Sequence, residues 1–216
     1  MQTPQRTLAI ETATEACSIA LFEGGKLLAG DHRELGRGHA ERLVPMIEAL
    51  PDKGKADRIL VSLGPGSFTG VRIGIATARA LGFAWGAEVL GYPTLALVAI
   101  RSWQPQPRPV TVCMNGGHGE WFVLNFADGS TPEGPVQSLP PDEAAKACRH
   151  QVIVGNRASE LAELLGDGRT ALNLLPDARK TYLFHESALS KDLAPVYGRG
   201  PDAKPQVKPK PAGASS

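Results

Sequence analysis

The sequence has few aromatic residues and few cysteines, and it lacks the features that mark membrane, secreted and nucleic-acid-binding proteins. Only 6% of its 216 residues are aromatic, and its three cysteines lie far apart, at positions 17, 113 and 148. Such cysteines predict buried reduced thiols in a cytosolic protein. No apolar run approaches the length of a membrane span, and the first residues lack a charged-then-apolar leader. A net charge of +1 argues against a broad nucleic-acid-binding surface. We therefore expect a cytoplasmic globular protein.

The motifs of the common catalytic centres are also missing. The five histidines form no His-x-x-x-His pair, and neither Cys-x-x-Cys nor His-Glu-x-x-His occurs. No Gly-x-Ser-x-Gly elbow presents a nucleophile. We therefore assign no catalytic, cofactor-binding or metal-ligating residue and expect no cofactor.

The segment Gly64–Ser67 is the nearest approach to a phosphate-binding loop, because it joins a short buried strand to a long helix. A dinucleotide fingerprint would need its third glycine one residue before Gly70, and a P-loop would need a lysine at the start of the helix. The chain has no lysine between Lys55 and Lys146. Amides at the helix N-terminus could still hold an anion, but a structural turn is the favoured interpretation.

Two carboxyl groups lie in the first predicted hairpin turn. Glu11 and Glu15 occupy a position that often carries nucleotide-cleft carboxylates in ribonuclease-H-like folds. Charged turn residues are more commonly solvated, so we favour solvated side chains at both positions.

The helix after Ser67 has an unusual composition. Ser67 is a predicted N-cap, because its hydroxyl can accept a hydrogen bond from an unpaired amide of the first turn. Small residues recur every fourth position, and each helical glycine costs about 1 kcal/mol relative to alanine. Close approach of another backbone element would compensate for that cost. The helix shows no broad polar face, which predicts burial nearly all round, either as a central helix or between its own sheet and a partner. The small residues are Gly70, Gly74, Ala78 and Gly82.

The order of the predicted elements indicates an α/β fold. Three antiparallel strands are followed by helix, strand, helix, strand and helix, the order of a ribonuclease-H-like unit with a mixed sheet flanked by helices. Pro45 should bend the helix predicted over 39–50 or divide it in two. The second half repeats this pattern more weakly and ends in a predicted helix over 177–189. We predict an N-terminal lobe over 1–103, a smaller lobe over 104–194 and a mostly disordered tail over 195–216.

Three segments resemble one known family. Leu8–Ala20, His39–Ile47 and Gly64–Gly74 are similar, in order and spacing, to the TsaB family, also called YeaZ. Residues 115–121 match less well, since Asn115 and Gly117 replace the family's usual Asp and Arg. The segment 195–199 resembles the family's closing Pro-x-Tyr-Leu-Arg, with Gly198 in place of leucine.

The resemblance implies an actin-like (ASKHA) fold of two ribonuclease-H-like lobes and a non-catalytic role. Family members support the catalytic paralogue TsaD, together with the ATPase TsaE, in adding threonylcarbamoyl to N6 of the adenosine next to the tRNA anticodon. They pair with themselves when alone, and they reach tRNA indirectly, through the complex. The expected partner-interface residues lie on two N-terminal helices and are His39, Leu43, Met46, Ile47, Phe68, Val71, Arg72, Ile75 and Arg79.

Two other classes of function remain as alternatives. An independent nucleotide-dependent phosphotransferase of the actin-like class would use the Gly64–Ser67 loop with Glu11 and Glu15. A metallopeptidase is disfavoured, because the sequence offers no metal-ligand pair.

Overall fold

A computed structural model describes residues 5–102, 106–166 and 168–198. Within these ranges the chain forms ten strands and five α-helices. The helices are α1 (His39–Glu48), α2 (Phe68–Trp85), α3 (Thr94–Arg101), α4 (Pro141–Ala147) and α5 (Ala158–Leu165). None of the helices in this part of the chain is long and apolar enough to cross a membrane.

The described residues form two sheets with the same strand order. The first sheet runs β3-β2-β1-β4-β5, with β1–β3 antiparallel and β4 and β5 parallel to β1. The second runs β10-β9-β6-β7-β8 with the corresponding directions. This repetition confirms the predicted pair of ribonuclease-H-like sheets. The strands of the first are β1 (Arg6–Glu11), β2 (Ala16–Glu23), β3 (Lys26–Glu34), β4 (Arg58–Ser62) and β5 (Glu88–Tyr92); those of the second are β6 (Val110–Gly117), β7 (Glu120–Phe126), β8 (Gln137–Leu139), β9 (Val152–Val154) and β10 (Thr170–Leu172).

The two faces of β1 contribute to different clusters of the core. Leu8 and Ile10 belong to the cluster that includes Leu43 of α1 and Val71 of α2. Ala9 points to the opposite face and packs with the cluster that contains Leu97 of α3, as the alternation of side chains along a strand requires. Helices α1 and α2 therefore cover one face of the first sheet, while α3 lies on the other.

Helix α3 is the helix that is buried all round. Each residue from Thr94 to Ile100 is buried, because α3 contacts the first sheet through Leu97 and the second through Leu95 and Val98. For α2 the central-helix alternative is wrong, since one side of that helix is exposed. The other alternative, burial between its own sheet and a partner, stays a prediction.

The predicted helix over 177–189 is replaced by two short 3₁₀ helices, Ala178–Leu183 and Glu186–Ala188, separated by extended backbone at Phe184. The carboxylate of Asp177 accepts hydrogen bonds from the Arg179 amide and guanidinium, and such local side-chain bonds compete with helical ones. Helix α1 continues through Pro45 as one helix.

The three thiols are unpaired, with Cys17 and Cys113 buried and Cys148 partly buried. The lobe boundary predicted at 103/104 and most of the predicted tail lie outside the described residues, so these divisions remain predictions. Residues 195–198 are described, and within them Val196 bonds to Leu63 and Tyr197 to Arg72.

Candidate partner interface

Two of the small residues of α2, Gly70 and Gly74, lie against the turn between β1 and β2. A Cβ at Gly70 would overlap the carbonyl oxygen of Thr12, and one at Gly74 would overlap the Thr12 hydroxyl. That hydroxyl donates a 2.8 Å hydrogen bond to the Gly70 carbonyl. The close approach expected from the glycines is confirmed, and the element that approaches is the chain's own turn.

The Gly64–Ser67 loop is tied to the same turn. The Ser67 amide donates to the Ala13 carbonyl at 2.7 Å, and the Gly64 carbonyl accepts from the Thr94 amide at 2.9 Å. The Ser67 hydroxyl accepts from the Gly70 amide at 3.2 Å, which confirms the predicted N-cap. Because the Ser67 amide is already paired, the geometry favours a structural turn over an anion site.

Six of the nine expected interface residues lie beneath the surface. Their side chains are at most 7% exposed, because the apolar faces of α1 and α2 pack on each other and on the first sheet. A helical projection shows that a face is apolar but not whether the chain covers it itself. These six residues were expected on a partner-facing surface, but they are buried within the chain itself. They are His39, Leu43, Met46, Ile47, Val71 and Ile75.

The other three expected residues are exposed on a single side of α2. Phe68 is 54% exposed, and Phe83, one further residue on this side, is 93% exposed. Among the described residues, neither Arg72 nor Arg79 has a carboxylate partner within salt-bridge distance. We call this surface the α2 face, and it comprises Phe68, Thr69, Arg72, Ala76, Arg79, Ala80, Phe83 and Ala84.

A C-terminal residue extends the α2 face at its N-terminal end. Tyr197, which is 48% exposed, stacks on Phe68 with ring centroids 5.5 Å apart. Its hydroxyl accepts hydrogen bonds from Nε and Nη2 of Arg72 at 3.2 and 3.0 Å. The local sequence pattern does not indicate this contact, because it joins residues 125 positions apart. The resemblance of 195–199 to a family motif is the one signal of it in the sequence.

Glu11 is buried, which makes the solvated interpretation wrong for this residue. Its Oε1 accepts from the Ala13 amide at 2.7 Å, while Oε2 is buried without a hydrogen-bond partner. Burial raises the pKa of the Glu11 carboxyl from 4.5 to about 7, partly opposed by the Ala13 amide and by the nearby hydroxyls of Ser62 and Tyr92. The signal in the sequence was its position at the end of an apolar strand.

Glu15 links the two sheets instead of projecting into solvent. Its Oε1 accepts from Nδ2 of Asn156 at 2.7 Å, and Oδ1 of Asn156 accepts from the Asn115 amide at 2.8 Å. Within the described ranges, no cluster of three His, Cys, Asp or Glu side chains is arranged to hold a metal ion.

The buried carboxyl group of Glu11 should make folding stability depend on pH. Because its pKa is higher in the folded chain, the folded state holds the proton more tightly, and this stabilisation is complete below pH 4.5 and lost as the pH rises through about 7. The difference corresponds to about 3 kcal/mol, at about 1.4 kcal/mol per pH unit. We expect Glu11→Gln to remove this decline in the free energy of unfolding, measured by urea denaturation between pH 5 and 8. Glu15→Gln is the matched control and should keep the wild-type slope; an unchanged slope in Glu11→Gln would contradict the assignment.

Comparisons of this chain with known families, sequences and structures agree with one another. A family model described as "TsaD: tRNA N6-adenosine threonylcarbamoyltransferase" matches residues 33–166. TsaB of Escherichia coli K12 is 45% identical over 107 residues, which cover 46% of this chain and 45% of that protein. An uncharacterised Mycobacterium bovis protein is 30% identical over 92% of this chain and 93% of its own length. The structure of YeaZ from Pseudomonas aeruginosa superposes with a TM-score of 0.67 at 30% identity, covering 82% of this chain and 88% of that one.

Two mixed sheets of the same order, flanked by helices, make this an actin-like (ASKHA) protein. The chain belongs to the TsaB (YeaZ) family. Its aligned region spans about half the length of the first curated relatives that it matches.

Proposed function

We propose that the chain is a non-catalytic subunit of the machinery that makes N6-threonylcarbamoyladenosine in tRNA. It pairs in the cytoplasm with a catalytic paralogue, TsaD, and the ATPase TsaE joins this pair. The modified base is the adenosine next to the anticodon, and tRNA is reached through the complex. Support comes from the Escherichia coli relative, which is named a tRNA threonylcarbamoyladenosine biosynthesis protein.

The single observation that carries the docking proposal is the exposure of the α2 face. A phenylalanine that is 93% exposed at position 83 follows the small exposed side chains of Ala76 and Ala80 on the same helix. Small residues let a second helix approach closely, and a protruding aromatic side chain is a typical anchor in protein interfaces. Arg72 and Arg79 border this apolar strip, have no carboxylate partner in the part of the chain that the structure describes, and fit a partner that supplies acidic groups.

The same face supports self-pairing when TsaD is absent. Arg72 and Arg79 lie seven residues apart on α2, which has no acidic residue. Glu41 and Glu48 lie seven apart on α1 and are exposed. Seven residues are about two helical turns, so α1 of a second copy offers charges of opposite sign at the same spacing.

A non-catalytic role fits the loop geometry better than phosphate transfer does. Two of the amides at this helix start are already bonded, that of Ser67 to the Ala13 carbonyl and that of Gly70 to the Ser67 hydroxyl, which leaves fewer donors for a phosphate. In place of a catalytic lysine, the first two turns of α2 present Phe68 and Arg72 to solvent.

Reconstitution of tRNA modification tests this proposal. Purified TsaD and TsaE from the same organism are supplied with threonylcarbamoyl-adenylate and unmodified tRNA, with and without this chain. We expect modified adenosine only when the chain is present, and no hydrolysis when the isolated chain is given ATP and magnesium. Full modification without the chain would refute the role in the complex, while ATP turnover by the isolated chain would favour the phosphotransferase.

A further inference from the structure

The C-terminal segment 190–198 is fastened to both lobes. Ser190 and Gly91 exchange backbone hydrogen bonds of 2.9 and 2.8 Å at the edge of the first sheet, and the Val196 amide donates to the Leu63 carbonyl at 2.8 Å. Gly198 lies directly against the ring of Phe122 in the second sheet, where a Cβ would overlap ring atoms. Tyr197 is therefore held at the α2 face by fixed backbone on either side of it.

This placement fixes the conformation of Arg72. The Cζ atom of Arg72 lies 3.6 Å from the centroid of the Phe68 ring, and two of its nitrogens donate to the Tyr197 hydroxyl. Tyr197 itself stacks on Phe68. An exposed arginine normally has many rotamers, and ordering it on binding costs free energy. In the free chain, these contacts already hold the Arg72 side chain in one conformation.

The charge of Arg72 remains uncompensated in this arrangement. Its hydrogen-bond acceptor is a neutral phenol, and among the described residues no carboxylate lies within salt-bridge distance. A guanidinium group matches the geometry of a carboxylate and binds it more strongly than it binds a neutral oxygen.

We propose that Tyr197 is a positioning residue of the interface, which holds Arg72 in place to receive an aspartate or glutamate side chain of the partner protein. This inference rests on the proposed function, because the partner is the one that docks on the α2 face. The C-terminal segment is thus part of the interface, acting through Arg72.

A double-mutant cycle with TsaD binding as the readout tests this role. We expect Tyr197→Ala to weaken binding about tenfold and Tyr197→Phe, which keeps the stacking but loses both hydrogen bonds, to weaken it less. In an Arg72→Ala background, Tyr197→Ala should have no further effect, because a positioning residue acts only through the group that it positions. Tyr182→Ala is the matched control, since Tyr182 is similarly exposed (52%) but packs against Phe22 elsewhere.

Two results would overturn the inference. One is an equal loss of binding on Tyr197→Ala with and without Arg72, which would assign Tyr197 a role of its own. The other is wild-type binding by Tyr197→Ala when Ala76→Arg binds poorly. That result would support docking on the α2 face and refute the positioning role of Tyr197. Wild-type binding by Ala76→Arg would instead refute the proposed docking face. The Nε–Hε NMR signal of Arg72 in the free chain should be resolved in the wild type and shift in Tyr197→Ala, independently of any partner.

Discussion

Replacing Ala76 with arginine is expected to weaken binding to TsaD at least about 100-fold, which corresponds to about 2.7 kcal/mol. Ala76 is exposed near the middle of the α2 face, between Arg72 and Arg79. A third cation there would prevent close approach of a partner helix, and it would bury a charge beside two like charges. The folded chain should tolerate the change, because arginine favours helix and the site faces solvent.

Isothermal titration calorimetry with the cognate TsaD measures this loss, and the thermal midpoint of the free variant checks its folding. Glu163→Arg is the matched control, because it also adds positive charge at an exposed helical position, on α5 in the second lobe. We expect the control to bind as the wild type does. Equal affinity of Ala76→Arg and Glu163→Arg would show that the α2 face takes no part in docking.

Replacing Gly70 with alanine is expected to destabilise the free chain by about 2 kcal/mol. A methyl group there would overlap the carbonyl oxygen of Thr12, which belongs to the backbone and cannot rotate away. Overpacking of this kind costs up to about 3 kcal/mol, and the better helix propensity of alanine returns about 1 kcal/mol. For a chain of this size the midpoint of thermal unfolding should fall by about 4–8 °C.

Gly82→Ala provides the comparison for this variant. Its added methyl group would meet the Cγ2 methyl of Val89, a side-chain atom. A side chain can adjust more readily than a carbonyl, so the loss should be smaller than at Gly70. The reverse order of stabilities, from scanning calorimetry or urea denaturation, would contradict the view that α2 is seated on the β1–β2 turn.

The element order was predictable from the sequence because the local signals agree. Alternating apolar residues gave the three-strand meander, and Ser67 marked the start of α2. The close approach at Gly70 followed from the cost of a glycine inside a helix. The family could be inferred from three segments because they lie in the first 74 residues, where the pattern is strongest.

The surface could not be predicted in the same way, because burial depends on contacts that are distant in sequence. Val71 and Ile75 are as apolar as an interface residue should be, but α1 and the first sheet cover them. Helix α3 shows the opposite case, since a second sheet that begins beyond residue 100 buries its other side. The contact between Tyr197 and Arg72 likewise joins residues that are 125 positions apart in the sequence.

Photocrosslinking from the α2 face tests whether TsaD docks there. A benzoylphenylalanine is placed at position 83, where the native phenylalanine projects into solvent, and separately at Leu164, which is 50% exposed on α5. Each variant is irradiated with the cognate TsaD, and the products are mapped by mass spectrometry. If TsaD docks on the α2 face, efficient crosslinks to TsaD are expected from position 83 and none from position 164. Crosslinks from position 164 with none from position 83 would contradict docking on the α2 face.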